Sequence, residues 1–146
     1  MSLEAVFAAC NLGVLPAWAA LAIAPDAKAT RWLVHSAWIP MLLGSAYLVV
    51  LASGASAPGA GFSSLAGVML LFDSPSVALA GWIHYLAFDL FVGAWEARDA
   101  VRRGIGRAWT APCLFLTLMA GPVGLLLYLT LRLLLEREPL LAETDG

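Results

Sequence analysis

The sequence predicts an all-α integral membrane bundle of four transmembrane helices, with a short interfacial or re-entrant segment between the second and third. Three observations predict it. Of the 146 residues, 62% are hydrophobic and only 12% are charged, against the roughly 25% charge of a water-soluble domain. Four stretches, 5–24, 33–53, 77–95 and 111–131, stay apolar over the roughly 20 residues needed to cross a hydrocarbon core of about 30 Å. Three of the four stretches contain no charge and the third contains Asp89 alone; every other charge falls in a connector, a tail or the last turn of the fourth span. The apolar runs are continuous instead of alternating, which favours helices over barrel strands. A helix also satisfies its own backbone in lipid. Residues 1–146 read as a single membrane domain.

The first span, 5–24, competes with a secretory signal. Met1, Ser2, Leu3 and Glu4 supply no basic leader and the apolar run exceeds a signal's core, so a span is expected. Gly13 and Ala17, four apart, offer a small-residue face for close helix approach. The second span opens with His35 beside Arg31 and Trp32, an imidazole expected to snorkel at the interface. Residues 54–61 are Gly, Ala, Ser and Pro and form a turn. Residues 62–72 are apolar over about half a spanning length and are the interfacial or re-entrant piece. Asp73, Ser74 and Pro75 then suit a cap and first turn for the third span. A short charged loop covers 98–107, and after the fourth span an acidic, frayed tail occupies 133–146. Pro16, Pro40 and Pro122 lie inside spans. Each lacks an N–H and is expected to kink its helix, Pro122 most strongly because Gly121 and Gly124 flank it.

Topology follows from the basic residues. With four spans, Lys28, Arg31, Arg98, Arg102, Arg103 and Arg107 share one side against Arg132 and Arg137 on the other. The positive-inside rule places the six in the cytoplasm and both termini outside, with Trp32, Trp95 and Trp109 near the inner boundary. A net charge of −2 excludes a basic nucleic-acid surface. Cys10 and Cys113 form no C-x-x-C pair. Two histidines are too few for a histidine-rich di-iron site, and His35 and His84 differ in expected depth by over about 10 Å, which disfavours haem between them. No phosphate loop, Ser-x-x-Lys or HExxH motif is present. No metal and no cofactor are expected. The expected partner is membrane lipid, and a homo-oligomer is compatible with the sequence.

The remaining polar groups define the candidate site. Ionisable residues inside a span are costly and by default mark function. His84 and Asp89 bracket the middle of the third span, and Asn11 is the notable polar residue of the first. Five residues of helix separate His84 from Asp89 by roughly 140° and about 7.5 Å, so they are no intrahelical pair. Asp89 shares its face with Trp82, Tyr85, Gly93 and Glu96, and His84 shares another with Phe88 and Phe91. A neutral imidazole as base and a neutral carboxyl as acid would move protons, with Asn11 orienting His84. The structural alternative is polar glue between helices, modest at about 0.6 kcal/mol per bond.

Phe72, Asp73, Ser74 and Pro75, followed by Gly81-Trp82-Ile83-His84-Tyr85-Leu86-Ala87-Phe88-Asp89-Leu90-Phe91, resemble the signature of the abscisic acid-deficient 4-like family, the neoxanthin synthase family of plants. Gly121-Pro122-Val123-Gly124, and Asn11 with Pro16 and Trp18, resemble it too. The resemblance implies a multi-pass membrane protein linked to the conversion of violaxanthin to neoxanthin, a cofactor-independent isomerisation. An epoxide opens while a neighbouring carbon loses a proton, leaving a hydroxyl and an allene. His84, Asp89 and Asn11 are the expected catalytic set, and Trp82, Tyr85, Phe88 and Phe91 are expected to flank a polyene. Arg supplies seven of the eight basic residues, and the chain starts without the plastid-targeting extension of the plant members. The Arg bias, with the abundance of Ala and Leu, suits a bacterial inner-membrane member. The rival function is a non-catalytic protein that binds a lipid or pigment or assists assembly.

Overall fold

The computed structural model describes residues 2–55 and 57–136, whose regular structure is entirely α-helical. Helix α1 runs Leu3–Ile23. The Ser2 hydroxyl accepts the Ala5 N–H at 3.2 Å, and Glu4 in the first turn complements the helix dipole. Pro16 lies inside α1 without ending it. Pro25 follows, and a one-and-a-half-turn helix α2, Lys28–Leu33, is tied back by Thr30 Oγ1 donating to the Ala24 carbonyl at 2.6 Å. Helix α3 spans Trp38–Ala52. His35, expected to open the second span, sits instead in the break between α2 and α3. Pro40 is the third residue of α3, where no intrahelical N–H is needed, so the kink expected there does not arise.

A short helix α4, Leu65–Phe72, falls within the apolar 62–72 stretch and is capped by Ser64, whose Oγ accepts the Gly67 N–H at 3.1 Å. Helix α5 then runs Pro75–Arg102, with Pro75 in its first turn as the sequence suggests. Its 28 residues extend about 42 Å, well beyond the expected 77–95. It stops in a Schellman turn: Ile105 N–H bonds the Ala100 carbonyl at 2.9 Å and Gly104 N–H the Val101 carbonyl at 3.3 Å. Gly104 takes φ 68°, a left-handed conformation that favours glycine.

The largest departure from expectation concerns 111–131. It is not one helix but two, α6 at Arg107–Ala120 and α7 at Pro122–Glu136, parted at Gly121. The arms fold back on each other as a hairpin. A Cβ at Gly124 would lie 2.1 Å from the Thr117 nitrogen and 2.5 Å from its Cα, so the two backbones touch. Gly121 lies against Asp89 of α5, whereas Tyr128 and Arg132, farther along α7, reach Asp99. Helix α7 therefore runs alongside α5 in the same direction, and α6 runs against it. Arms of 14 and 15 residues measure about 21–23 Å, short of a hydrocarbon core of about 30 Å. Arg132 accordingly returns to the end of α5 from which α6 departs, and not to the opposite side expected of a fourth crossing. Of the frayed tail expected at 133–146, the first four residues belong instead to α7, which continues to Glu136. Arg137, the rest of the tail and the outward C-terminus lie outside the described residues.

Among the described residues, three helical stretches are long and apolar enough to cross a membrane: Leu3–Ile23, Lys28–Ala52 (α2 and α3 together) and Pro75–Arg102. The chain is a multi-pass membrane protein. Large apolar side chains cover its surface, Leu42 at 69% exposure and Val49 at 71% among them, as a lipid-facing helix requires.

Contacts group the chain into two units, Met1–Leu15 with Ala37–Phe88, and Pro16–Ser36 with Asp89–Gly146. In the first, Val14, Leu43, Val50, Leu79, Ile83 and Leu86 are buried. In the second, Gly93 admits the Trp18 ring so closely that a Cβ there would stand 2.5 Å from it. Ala100, Ile105, Cys113 and Tyr128 form a core cluster, with Trp95 and Leu131 packed around it.

Candidate functional site

The first unit holds Asn11, Trp82, His84, Tyr85 and Phe88. Asn11 does not meet His84. Its Oδ1 accepts the Trp82 indole N–H at 3.0 Å, and its Nδ2 donates to the Phe7 carbonyl at 3.0 Å. Residues 82 and 84 stand about 200° apart around a helix, so the face that offers Trp82 to α1 turns His84 away. Trp82 stacks on Tyr85 with centroids 5.2 Å apart and lies 6.0 Å from the Phe7 ring. Leu3, Phe7, Pro75 and Trp82 line an open groove of about 310 Å³. His84 is exposed. Its ring stacks on Phe88, one turn on, at 4.4 Å and lies 6.2 Å from Tyr47 of α3.

The second unit holds Asp89 and Phe91. Asp89 is half-buried beneath the tip of the α6–α7 hairpin, where a Cβ at Gly121 would fall 2.4 Å from its Oδ1. Phe91 is 61% exposed and lines a shallow groove of about 270 Å³ with Val92, Trp95, Leu125 and Leu129.

Beyond Asp89 the same face of α5 carries a polar stripe of Glu96, expected on that face, and Asp99, which falls in the expected 98–107 loop. Glu96 is fully buried and Asp99 almost so. The Thr117 hydroxyl of α6 lies 3.0 Å from both Glu96 oxygens. The Tyr128 hydroxyl of α7 donates to Asp99 Oδ2 at 2.8 Å. Arg103 Nε donates to both Asp99 oxygens at 3.1 and 3.2 Å, Arg102 donates to Oδ1 at 3.3 Å, and the buried Arg132 Nε stands 3.5 Å from Oδ2. Positions 89, 96 and 99 are spaced by seven and three, which keeps them within about 80° of one another. That spacing was the available signal. A loop opening at residue 98 places Asp99 in solvent, whereas α5 runs on to Arg102.

The arrangement can hold protons at carboxylates along one helix and can bind the hairpin to that helix through charge-assisted hydrogen bonds. Fold and site together define a multi-pass, all-α membrane protein with an ionisable stripe along its longest helix. The chain belongs to the ABA DEFICIENT 4-like family, which it matches over residues 5–128. It is 26% identical over 143 residues to Protein ABA DEFICIENT 4, chloroplastic, of Arabidopsis thaliana, covering 92% of this chain and 64% of that protein. The chain thus spans less than two thirds of the length of its curated relative. No solved structure matches it.

Proposed function

We propose that the protein acts within the membrane on a carotenoid or related isoprenoid, as an isomerase that opens an epoxide by proton transfer. A bacterial inner membrane is the setting in which we place it. The observation that carries this reading is Asp89, a carboxyl group mid-way along a membrane-crossing helix, half-buried under a hairpin tip whose glycine leaves room for it. An intramembrane ionisable group is costly to keep unless it is used. An isomerisation of this kind needs one proton delivered to the epoxide oxygen and one removed from carbon, so the net balance is zero. Asp89 supplies the acid and base function in its unit. In the other unit His84, exposed and stacked on Phe88, is a second proton-transfer candidate. The Trp82 and Tyr85 stack, braced by Asn11, offers a flat apolar wall to a polyene.

The test is conversion of an epoxycarotenoid such as violaxanthin by the chain in proteoliposomes, followed by pigment chromatography. The expected product has unchanged mass and a shifted retention time. Asp89→Asn should lower the rate by about 10²–10⁴-fold, the usual contribution of general acid–base catalysis, while the protein still inserts. No conversion by the intact chain, or full conversion by Asp89→Asn, would overturn the proposal.

One set of observations favours a second reading, a non-catalytic lipid- or pigment-binding protein. Trp82 with Asn11, Thr117 with Glu96, and Tyr128 with Asp99 each join two helices. On that reading Asp89→Asn lowers abundance and leaves every extractable pigment chemically unchanged.

A further inference from the structure

We propose that the cavity at the C-terminal end of α5, beside α2, is a binding site for a phosphate group, carried either by a lipid headgroup or by free inorganic phosphate. It is independent of the isomerase reading. The cavity measures about 400 Å³ and is lined by Arg31, His35, Arg98 and Arg102, with Asp26, Pro25 and Val101 completing the wall. Three guanidinium groups and one carboxylate are among the lining side chains. Arg102 also lies 3.3 Å from Asp99.

One of the guanidinium groups is held in place by a histidine. Arg98 Nη1 lies 3.1 Å from His35 Nδ1, and His35 Nε2 lies 3.3 Å from the Pro25 carbonyl. A guanidinium has no acceptor, so Nδ1 accepts and Nε2 bears the hydrogen donated to Pro25. His35 is therefore a positioning residue that fixes the Arg98 fork at the cavity, and planar forks are the geometry that phosphate oxygens recognise. The location agrees. Arg98 and Arg102 stand one helical turn apart in the last turns of a crossing helix, and Trp32 on α2 is 75% exposed, an aromatic suited to headgroup depth. Basic pockets between membrane helices at that depth hold anionic headgroups.

The full chain, purified in micelles, is titrated with dioleoylphosphatidylglycerol, with phosphate-free dioleoylglycerol, and with inorganic phosphate. Native mass spectrometry reads the bound lipid, and thermal melting reads phosphate binding. The site is expected to retain phosphatidylglycerol and not dioleoylglycerol. Melting raised by millimolar phosphate identifies a site that also takes free phosphate, and its absence identifies the headgroup as the source. Arg31→Gln and Arg98→Gln should each weaken binding by about tenfold, whereas Lys28→Gln, the same charge change outside the cavity, should cost less than about twofold. Arg31 is exposed, so its variant remains informative if Arg98→Gln fails to fold. His35→Ala should match Arg98→Gln. His35→Asn, whose amide oxygen replaces the Nδ1 acceptor, should restore much of the affinity. Equal losses from Lys28→Gln and Arg31→Gln, or binding of neither phosphate species, would overturn the proposal.

Discussion

Glycine-to-alanine substitution at Gly124 probes the hairpin directly. The added Cβ would stand 2.1 Å from the Thr117 nitrogen, 2.2 Å from its Oγ1 and 2.5 Å from its Cα. Ordinary contact begins near 3.4 Å, so the overlap is about 1 Å, and the obstacle is backbone that no rotamer change can move. Overpacking costs about 1–3 kcal/mol when side chains can yield, so Gly124→Ala should cost at least ~3 kcal/mol. Gly13 is the matched control. It lies inside α1 with nothing within 4 Å of a Cβ, and relief of glycine's helix penalty should stabilise Gly13→Ala by up to about 1 kcal/mol. One substitution type thus acquires opposite signs at two sites. Reversible unfolding in mixed micelles, followed by far-ultraviolet circular dichroism, measures both. A Gly124→Ala protein as stable as the parent would mean that α6 and α7 do not fold back, and residues 111–131 would be restored as a single crossing.

Other expectations follow from the same geometry. Leu133→Cys, in a background without Cys10 and Cys113, should react with an impermeant thiol reagent from the same side of the membrane as a cysteine at Gly104. Labelling from opposite sides would restore the fourth crossing. Asp99→Asn leaves the buried Arg132 without its carboxylate and should destabilise by about 3–5 kcal/mol, and Asp99→Asn with Arg132→Met should recover part of that loss in the same unfolding assay. Thr117→Val removes the hydroxyl at Glu96 and should cost about 1–3 kcal/mol, while Thr117→Ser should cost far less.

Three of the long apolar helical stretches were legible in order. Hydropathy is a local sum over consecutive side chains, so the stretches that become α1, α3 and α5 could be read one at a time, as could Pro75 in the first turn of α5. The candidate site was legible in part. Asp89 stood out because one carboxyl in an apolar run is conspicuous, and its shared face with Glu96 followed from helical spacing. Its environment did not follow, because Gly121 belongs to another helix. Likewise Asn11 and His84 looked like partners by depth alone, and the rotation of α5 gave Asn11 to Trp82 instead.

The sequence by itself determined that this protein is helical, lipid-embedded and poor in charge, because transfer of side chains into hydrocarbon depends on their chemistry and not on their neighbours. It also announced a kink at Pro122, which lacks an N–H and is flanked by Gly121 and Gly124. Only the tertiary structure decided which way the chain turned at that point. Direction depends on what α7 meets: the bare backbone at Gly124 closing on Thr117, and Asp99 receiving Tyr128 with Arg132 beside it. Those contacts join residues up to 33 positions apart, and no run of consecutive residues encodes their free energy.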